Sequence, residues 1–399
     1  MKDAGKHMRL SGTNLERAGD HNQRVTLHAI RVTGPITRTE LVEITGLTAP
    51  AIANITKRLL TDRLIVEAGQ RRGGRGQPAT RLVINPDAWF SIGLNVDRDH
   101  ITMVVLDFEG RVRQRQSVEV NFALPQDVEQ FFRKGAGKLL SKVGVDRRRL
   151  AGVGVALPDD MPRAATLPHQ PANYGVWAST DLASLLGGVL SVPVFVENDA
   201  AAATMGEMQF GLGKKYQTFF YILITAALGG SLVIEGNHYR GASGRSGELG
   251  LLRGRDLSGH ERQIQNIVSL SALYGRLAAQ GIRISAPGDL THLDVSGQAI
   301  IDAWVEAAVD TLIDPLLAIN CLVNPEAVLI GGRLPANIVD QLANRLNQRL
   351  APYSTSVPVI APVARAAMSD DAPAVGAAIL PFSHRLLPTR TALMKTAAH

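Results

Sequence analysis

The sequence has very little cysteine and no long apolar run. Cys321 is the single cysteine among 399 residues, which excludes a disulfide framework and a cysteine-based metal knot. No apolar run approaches the roughly 20 residues of a membrane helix, and the first residues lack the apolar centre of a secretory signal. We therefore expect a cytoplasmic chain, associated with the nucleoid if it binds DNA, and no membrane partner.

The positive charge is confined to one end of the chain. Residues 1–86 contain 14 Lys and Arg against 7 Asp and Glu, and the remainder contains 28 against 29. The whole formal charge of +6 therefore comes from the amino-terminal fifth. A basic module on a neutral body is typical of a nucleic-acid-binding domain. At 399 residues, with 45% hydrophobic residues, the chain has room for two or three domains.

The basic end carries helix signals. Residues 1–20 are polar and without a clear period, so we expect a disordered tail. A first helix is predicted from Asn22 to Val32. Thr37 followed by Glu40 is a capping box that opens a second, short helix. After the turn at Gly46, Thr48 caps a third helix, which is apolar at helical spacing as far as Leu60.

These helices predict a winged helix-turn-helix over residues 21–86. Two strands, at 64–67 and 80–84, flank an arginine- and glycine-rich loop at 71–78, where arginine could neutralise phosphates or enter a minor groove. A two-helix hairpin is common by itself, and the loop could be only a solvated basic turn. The candidate contacts with double-stranded operator DNA are Thr48, Ala49, Ala51, Asn54, Lys57, Arg58, Arg71, Arg72 and Arg75.

The body follows a linker at residues 85–87 and shows the same pattern twice. In each half, apolar strands come first and helix then alternates with strand, which predicts a duplicated α/β core with a cleft between two lobes. The predicted strands of the first half lie at 92–96, 101–108, 112–120 and 153–157, with a helix at 126–140. The second half has strands at 219–224, 231–235 and 327–330, a turn at 227–230, and helices near 261–280 and 297–322.

A polar stretch inside this body has two interpretations. The apolar run Val192–Val196 ends at Glu197, Asn198 and Asp199, after which alanines open a helix. Asn198 or Asp199 could simply cap that helix. Alternatively, these residues form a ligand site, since open α/β sheets bind ligands at the carboxyl ends of their strands.

The ordered motifs of the body resemble those of the ROK family, which groups bacterial repressors, open reading frames and sugar kinases. The similarity is to the repressor branch, of the xylose and N-acetylglucosamine repressor type, and runs from about residue 20 to residue 382. The motifs are Glu197–Ala200, Gly236–Ala242, Gly247–Gly250, Asn324–Gly332 and Gly376–Ala378. The resemblance implies an actin- and hexokinase-like body of ribonuclease H-like duplicated lobes behind the winged helix.

The family also implies a division of the body and a set of sugar contacts. Residues 87–200, with a carboxy-terminal helix at 370–385 packing back, would form one lobe, and residues 201–369 the other lobe and the dimerisation surface. In the family's kinases the residue matching Asp199 is the general base; in a repressor it need only accept a hydrogen bond. Glu248 could instead be an ordinary surface carboxylate. The ligand-binding residues implied are Asn173, Asn198, Asp199, Glu248 and Gln265, with Gln265 standing where the family has a glutamate.

Two departures from the family pattern bear on cofactors. The first-strand phosphate turn, Asp-x-Gly-Gly-Thr in the kinases, corresponds here to Asn95–Asp99, which has two carboxylates and no glycine pair. The second phosphate loop corresponds to Thr225–Ala227. The family's zinc ligands, one histidine and three cysteines, correspond to Leu251, Asp256, Ser258 and Gln263. We therefore expect no ATP, no zinc and no catalytic residue, and interpret His260 as an ordinary surface residue.

The sequence thus predicts a sugar-responsive repressor, a homodimer or tetramer that binds operator DNA and a small sugar effector. Two alternatives stay open at this point. One is a sugar kinase with an unusual phosphate site. The other is a DNA-binding dimer without a ligand, because the altered zinc segment and Gln265 both affect the expected ligand shell.

Overall fold

The computed structural model describes residues 15–71, 79–159, 161, 171–255, 259–368 and 371–388. The chain divides into two compact units. The first unit comprises Met1–Phe90, Asp107–Arg111 and Pro381–His399, and the second comprises Ser91–Leu106 and Val112–Leu380. Among the described helices, none is both long enough and apolar enough to cross a membrane.

The first unit contains three helices and a three-stranded antiparallel sheet of order β1-β3-β2. Its core is formed by aliphatic side chains from every one of these elements, such as Leu41, Ile52 and Leu82, which are completely buried. The elements are α1 (Leu15–Thr33), β1 (Ile36–Thr37), α2 (Arg38–Thr45), α3 (Ala49–Thr61), β2 (Ile65–Arg71) and β3 (Ala79–Ile84).

The local signals for α2 and α3 are confirmed. Thr37 and Glu40 form the capping box, and the turn between the helices closes on Gly46 in the left-handed conformation. The hydroxyl of Thr48 accepts a hydrogen bond from the backbone N–H of Ala51. The expected start of α1 was wrong: it begins at Leu15, so residues 15–20 are helical rather than a disordered tail. Extending an existing helix needs no new nucleation, so polar residues can join it.

A partly buried histidine in α1 makes the stability of the first unit depend on pH. Burial, and then the charge of Arg31, lower the pKa of His28 from 6.5 to about 4. The unfolded chain therefore binds the proton more tightly, so the stability contributed is complete above pH 6.5 and is lost as the pH falls toward 4. The free energy of unfolding of the wild type should therefore fall by about 2 kcal/mol between pH 7 and pH 5 because of His28, and His28→Gln should not show this fall. Urea denaturation at pH 7 and pH 5 measures it, with His292→Gln, at an exposed site, as the control.

The second unit contains two five-stranded sheets with the same strand order. We call them the first large sheet, of order β6-β5-β4-β7-β8, and the second large sheet, of order β11-β10-β9-β14-β15. Counted along each half, both orders are 3-2-1-4-5, which confirms the predicted duplication. The strands of the first are β4 (Phe90–Val96), β5 (His100–Asp107), β6 (Val112–Glu119), β7 (Leu150–Leu157) and β8 (Val194–Asn198); those of the second are β9 (Phe219–Ile224), β10 (Leu228–Ile234), β11 (Asn237–Tyr239), β14 (Ala327–Gly332) and β15 (Val363–Arg365).

Helices and a small ribbon complete the second unit. Helix α6 packs against strands of both large sheets, and Ala202 of α6 shares a buried alanine cluster with β7 and α10. The ribbon pairs β12 (Arg253–Arg255) with β13 (Glu261–Gln263). The helices are α4 (Pro125–Val143), α5 (Leu182–Leu190), α6 (Asp199–Phe210), α7 (Leu270–Ala279), α8 (Val295–Val323), α9 (Ala336–Leu350) and α10 (Ala372–Arg385).

Two predictions about the second half were wrong. The stretch expected to be one helix near 261–280 is the strand β13, a 3-10 turn at Ile264–Asn266, and then α7, which is capped by Ser269. A new cap inside an apolar pattern ends one element and starts another. The turn expected at 227–230 is earlier, because Leu228–Gly230 already pair with β9. Gly229 and Gly230 therefore lie within a strand, where they allow close packing of neighbouring segments.

Candidate functional site

The polar stretch after β8 begins helix α6. The side-chain oxygen of Asn198 accepts a hydrogen bond from the N–H of Ala201 at 3.1 Å, so the capping interpretation is confirmed for Asn198. One carboxylate oxygen of Asp199 lies 2.8 Å from the N–H of Ala200. Only 8% of Asp199 is exposed, although ionised carboxylates are seldom this buried without specific partners. The carboxylate of Asp199 is thus almost completely buried in the first turn of α6.

Strand β10 brings this helix start close to the Gly247–Glu248 turn. A Cβ at Gly229 would lie 3.0 Å from the Cβ of Ala200, and one at Gly230 would lie 2.4 Å from the carbonyl oxygen of Gly247. Larger residues would push both segments away from the strand. Because successive Cβ atoms of a strand point to opposite faces, the two adjacent glycines allow the first turn of α6 to approach one face of this strip of the second large sheet and the turn carrying Glu248 to approach the other.

Gln265 lies at the same strip. A Cβ at Gly250 would be 2.2 Å from the carbonyl oxygen of Leu228 and 3.2 Å from the Cβ of Gln265. The amide nitrogen of Gln265 donates a hydrogen bond to the side-chain oxygen of Gln263 at 2.9 Å. The structure therefore brings the start of α6, with Asn198 and Asp199, to one face of the strip Leu228–Gly230, and Glu248 and Gln265 to the other face.

Two arginines join this strip to the first large sheet, and the sequence analysis had not singled out either of them. Arg245 donates to Glu248 at 2.9 Å and lies 3.3 Å from Asp159, just after β7. Arg240 lies 2.8 Å from Glu197 of β8, a carboxylate that is only 8% exposed. Arg240 lies inside the Gly236–Ala242 motif, and Arg245 lies between that motif and Gly247–Gly250. Their partners in or after the strands of the first large sheet, Glu197 and Asp159, stand at least 43 positions away in sequence, so no local pattern revealed these pairs.

Asn173 is the expected ligand residue that the structure does not bring to this strip. It is exposed and precedes the 3-10 helix Tyr174–Ser179, which its side chain does not cap. Residues 162–170, just before it, lie outside the described part of the chain.

The face of α3 that was expected to contact DNA is open to solvent. Thr48, Ala49, Asn54, Lys57 and Arg58 are exposed, and Ala51 is partly buried. The opposite face buries Ile52, Thr56 and Leu59. Arg38 of α2 donates to the hydroxyl of Thr56 at 3.0 Å, which fixes α3 against α2. Arg71 ends β2, whereas Arg72 and Arg75 lie outside the described residues.

Comparison with known proteins identifies the body. The model of the ROK family matches residues 91–383, which is most of the chain. The chain belongs to the ROK family. Its large sheets are those of the mixed α/β, actin- and hexokinase-like ROK fold, as expected from the motifs.

Relatives in the ROK family match different fractions of the chain. An uncharacterised protein, y4fQ, of Sinorhizobium fredii is 26% identical over 363 residues, 90% of each chain. The xylose repressor of Bacillus spizizenii is 30% identical over 229 residues, 57% of this chain and 59% of that protein. The chain thus spans about three fifths of the length of that named repressor.

Solved structures of the ROK family share the fold. A ROK family transcriptional regulator, a homologue of the Escherichia coli Mlc protein, has a TM-score of 0.63 at 21% identity and covers 92% of this chain and 96% of its own. A ROK family glucokinase from Streptomyces griseus, in complex with glucose and AMPPNP, has a TM-score of 0.55 at 21% identity, with 73% and 98% covered. The fold therefore occurs in regulators and in kinases, and the site must decide between them.

The place that corresponds to the phosphate turn of ROK kinases does not suit a phosphate. Asp97 is 1% exposed, and Asp99 follows it in the turn between β4 and β5. Arg333, which follows Gly332, donates to Asp99 at 3.0 Å and also to Glu119. The carboxylates would repel an anion, and both arginines beside them already have carboxylate partners, because Arg98 lies 3.7 Å from Asp97 and Arg333 pairs with Asp99 and Glu119. The residues at this place thus favour ion pairs within the chain over a bound nucleotide.

The zinc segment of the ROK family does not offer a zinc donor set either. Leu251, at the histidine position, has no donor atom, and 41% of it is exposed. Gln263 bonds with Gln265, and amides are poor ligands for Zn²⁺. Asp256 and Ser258 lie outside the described residues. Leucine and glutamine at two of the four positions do not fit a tetrahedral zinc centre.

Proposed function

We propose that this chain is a sugar-responsive transcriptional repressor that binds operator DNA and controls an operon for carbohydrate uptake or catabolism. Its ROK relatives include a protein named as a xylose repressor, and its body has the fold of a ROK transcriptional regulator. The observation that carries the proposal is the exposed polar face of α3, because a ROK enzyme needs no such helix.

The DNA-binding part is a winged helix-turn-helix. Helices α2 and α3, joined by the tight turn at Gly46, provide the recognition helix, and β2 and β3 form the base of the wing. Thr48, Asn54, Lys57 and Arg58 would contact base edges or phosphates in the major groove. Arg71, Arg72 and Arg75 would neutralise phosphates or enter a minor groove.

The effector would be a neutral sugar bound between the start of α6 and the turn carrying Glu248, near the ion pairs of Arg240 and Arg245. Each sugar hydroxyl both donates and accepts, so the carboxylates and amides of Asn198, Asp199, Glu248 and Gln265 suit it. Among the described residues around this strip, the four carboxylates Asp159, Glu197, Asp199 and Glu248 outnumber Arg240 and Arg245. A net negative charge disfavours a phosphorylated sugar. Asn173 would reach the ligand only through a change of its loop.

The sugar site would act by binding alone. Because leucine and glutamine stand at the two described zinc positions and carboxylates stand in the first phosphate turn, we propose a protein without cofactor or catalysis. It would work as a homodimer or tetramer, in which the sugar changes the closure of the second unit and so the spacing of two recognition helices.

A thermal-shift screen of the purified protein tests this function. The panel pairs neutral monosaccharides with their 6-phosphates, with and without zinc. A sugar that binds only the folded form stabilises it by about 2.7 kcal/mol at a hundredfold excess over Kd. We expect one neutral sugar to raise Tm independently of zinc, and its phosphate to have no effect. Silence across the panel would favour a DNA-binding dimer without a ligand, and ATP-dependent sugar phosphorylation would revive the kinase.

A further inference from the structure

Arg333 connects the two large sheets at the place where a kinase of this fold holds phosphate. It follows β14 of the second large sheet, and only 9% of it is exposed. Its guanidinium donates to the carboxylate of Asp99 at 3.0 Å and to that of Glu119. Asp99 lies in the turn between β4 and β5, and Glu119 ends β6, so both carboxylates belong to the first large sheet. We call this contact the Arg333 bridge.

The carboxylate of Asp99 is held from its other side as well. Nδ1 of His100 lies 2.7 Å from an oxygen of Asp99, and Nε2 of His100 lies 2.9 Å from the amide nitrogen of Asn95. A carboxylate can only accept, so Nδ1 of His100 donates to Asp99, while Nε2 pairs with the side-chain amide of Asn95. His100 and Asn95 are almost completely buried. The bridge is therefore anchored on a rigid part of the first large sheet.

The electrostatics keep both ends of the bridge charged. Burial opposes ionisation of Asp99, but the hydrogen bond and the charge of His100, followed by the charge of Arg333, outweigh it and lower the pKa of Asp99. Burial likewise opposes the charge of Arg333, while Asp99 and Glu119 raise its pKa. Removing one partner would leave a buried charge uncompensated, which is costly, so this contact does not open easily.

The contacts between the same sheets on the sugar side are different in kind. Arg240, which is 58% exposed, pairs with Glu197, and Arg245, which is 30% exposed, pairs with Asp159 and Glu248. Exposed ion pairs contribute little and exchange readily with water. Glu248 is also a proposed sugar contact, so a ligand would compete with Arg245 for its carboxylate. The arginine of the bridge is thus only 9% exposed, with carboxylate partners that are 27% and 40% exposed, whereas the two arginines on the sugar side are 58% and 30% exposed.

We propose that Arg333 is a positioning residue, which fixes the spacing of the two large sheets on the former phosphate side and so confines the response to the sugar side. This inference rests on the proposed sugar-sensing function. At the place where a kinase of this fold holds phosphate, an arginine of the chain itself would here connect the two large sheets permanently. The segment 237–248, with Arg240 and Arg245, would then be the part that rearranges when the sugar binds.

Hydrogen exchange measured by mass spectrometry on the full-length protein tests the bridge without any ligand. In Arg333→Gln, the backbone amides of 96–100 and 331–334 should exchange faster than in the wild type. The matched control is Arg365→Gln, which breaks the exposed pair with Asp340 inside the second large sheet and its helix, and should leave both segments unchanged. Arg333→Lys should restore part of the protection, since it keeps the charge. Wild-type exchange in Arg333→Gln would overturn the proposal.

The sugar found in the thermal-shift screen provides the second measurement. In the wild type it should slow exchange at 198–200, 237–248 and 264–266, which carry the proposed sugar contacts, and leave 96–100 unchanged. In Arg333→Gln the change should spread to 96–100, and Kd for the sugar should rise at least tenfold, while operator binding without sugar stays unchanged. An unchanged Kd and pattern would contradict the inference. If no sugar binds the wild type, the proposed function fails, whereas the ligand-free exchange still decides on the bridge. If Arg333→Gln does not fold, Glu119→Gln, which removes the more exposed partner, replaces it.

Discussion

Asp199→Ala is expected to abolish binding of the sugar effector, with at least a hundredfold rise in Kd. The carboxylate of Asp199 is buried at the first turn of α6 and lies beside the β10 strip. A sugar hydroxyl bound there would lose its acceptor and stay unmatched in a site shielded from water, which costs more than the hydrogen bond contributes. Isothermal titration calorimetry with the sugar from the screen measures the loss, and operator binding without sugar should stay at the wild-type level.

Two companion variants separate the chemistry of Asp199 from the stability of its helix. Asp199→Asn keeps an oxygen acceptor but removes the charge, so an intermediate Kd is expected. Asp294→Ala removes the N-cap carboxylate of α8, far along the chain, and should lower Tm without changing Kd. If Asp199→Ala binds the sugar as well as Asp294→Ala does, the ligand is not held at the start of α6.

The triple variant Asn54→Ala, Lys57→Ala, Arg58→Ala should lose specific operator binding by a factor of roughly a thousand. These side chains share the exposed face of α3, whereas the buried face stays intact, so the fold should persist. Each base contact is worth about 1–3 kcal/mol, and each phosphate contact contributes about one to the salt slope of binding. Fluorescence anisotropy with an operator selected in vitro, measured from 50 to 200 mM salt, gives both the affinity and the slope.

A charge-matched control is available in the second unit. The double variant Lys134→Ala, Arg147→Ala also removes two positive charges, but from exposed positions on α4 and on the 3-10 turn after it. This control should reduce binding only slightly, since its charges act at long range through screened solvent. Equal losses in the two variants would mean that net charge, and not the α3 face, determines binding.

Local sequence rules recovered the elements whose causes are local. The capping box of Thr37 and Glu40 and the cap at Thr48 involve residues three apart, so the sequence contains all the information needed. The duplication of the α/β core followed from the repeated pattern, whereas the strand order within each half was not predicted. In contrast, the β12–β13 ribbon and the 3-10 turn after it form because β13 pairs with β12 across a loop, and helical spacing alone could not exclude a helix there.

Local sequence patterns revealed only part of the candidate site. Asn198 and Asp199 stood out because polar residues interrupted an apolar run at the end of a strand. The partners that join the sheets did not stand out: Arg333 and Asp99 are 234 residues apart, and Arg240 and Glu197 are 43 apart. Their meeting depends on the packing of two sheets, which no window of the sequence contains. The expected roles of Asn173 and the wing arginines stay predictions.

The most direct test of a sugar-responsive repressor is the reciprocal linkage between sugar and operator. We would measure operator affinity with and without saturating sugar, and sugar affinity with and without saturating operator, on the same full-length protein. The account predicts that the sugar weakens operator binding and that the operator weakens sugar binding by the same factor, in the range of about 5–150. Operator affinity that does not change across saturating sugar would contradict it.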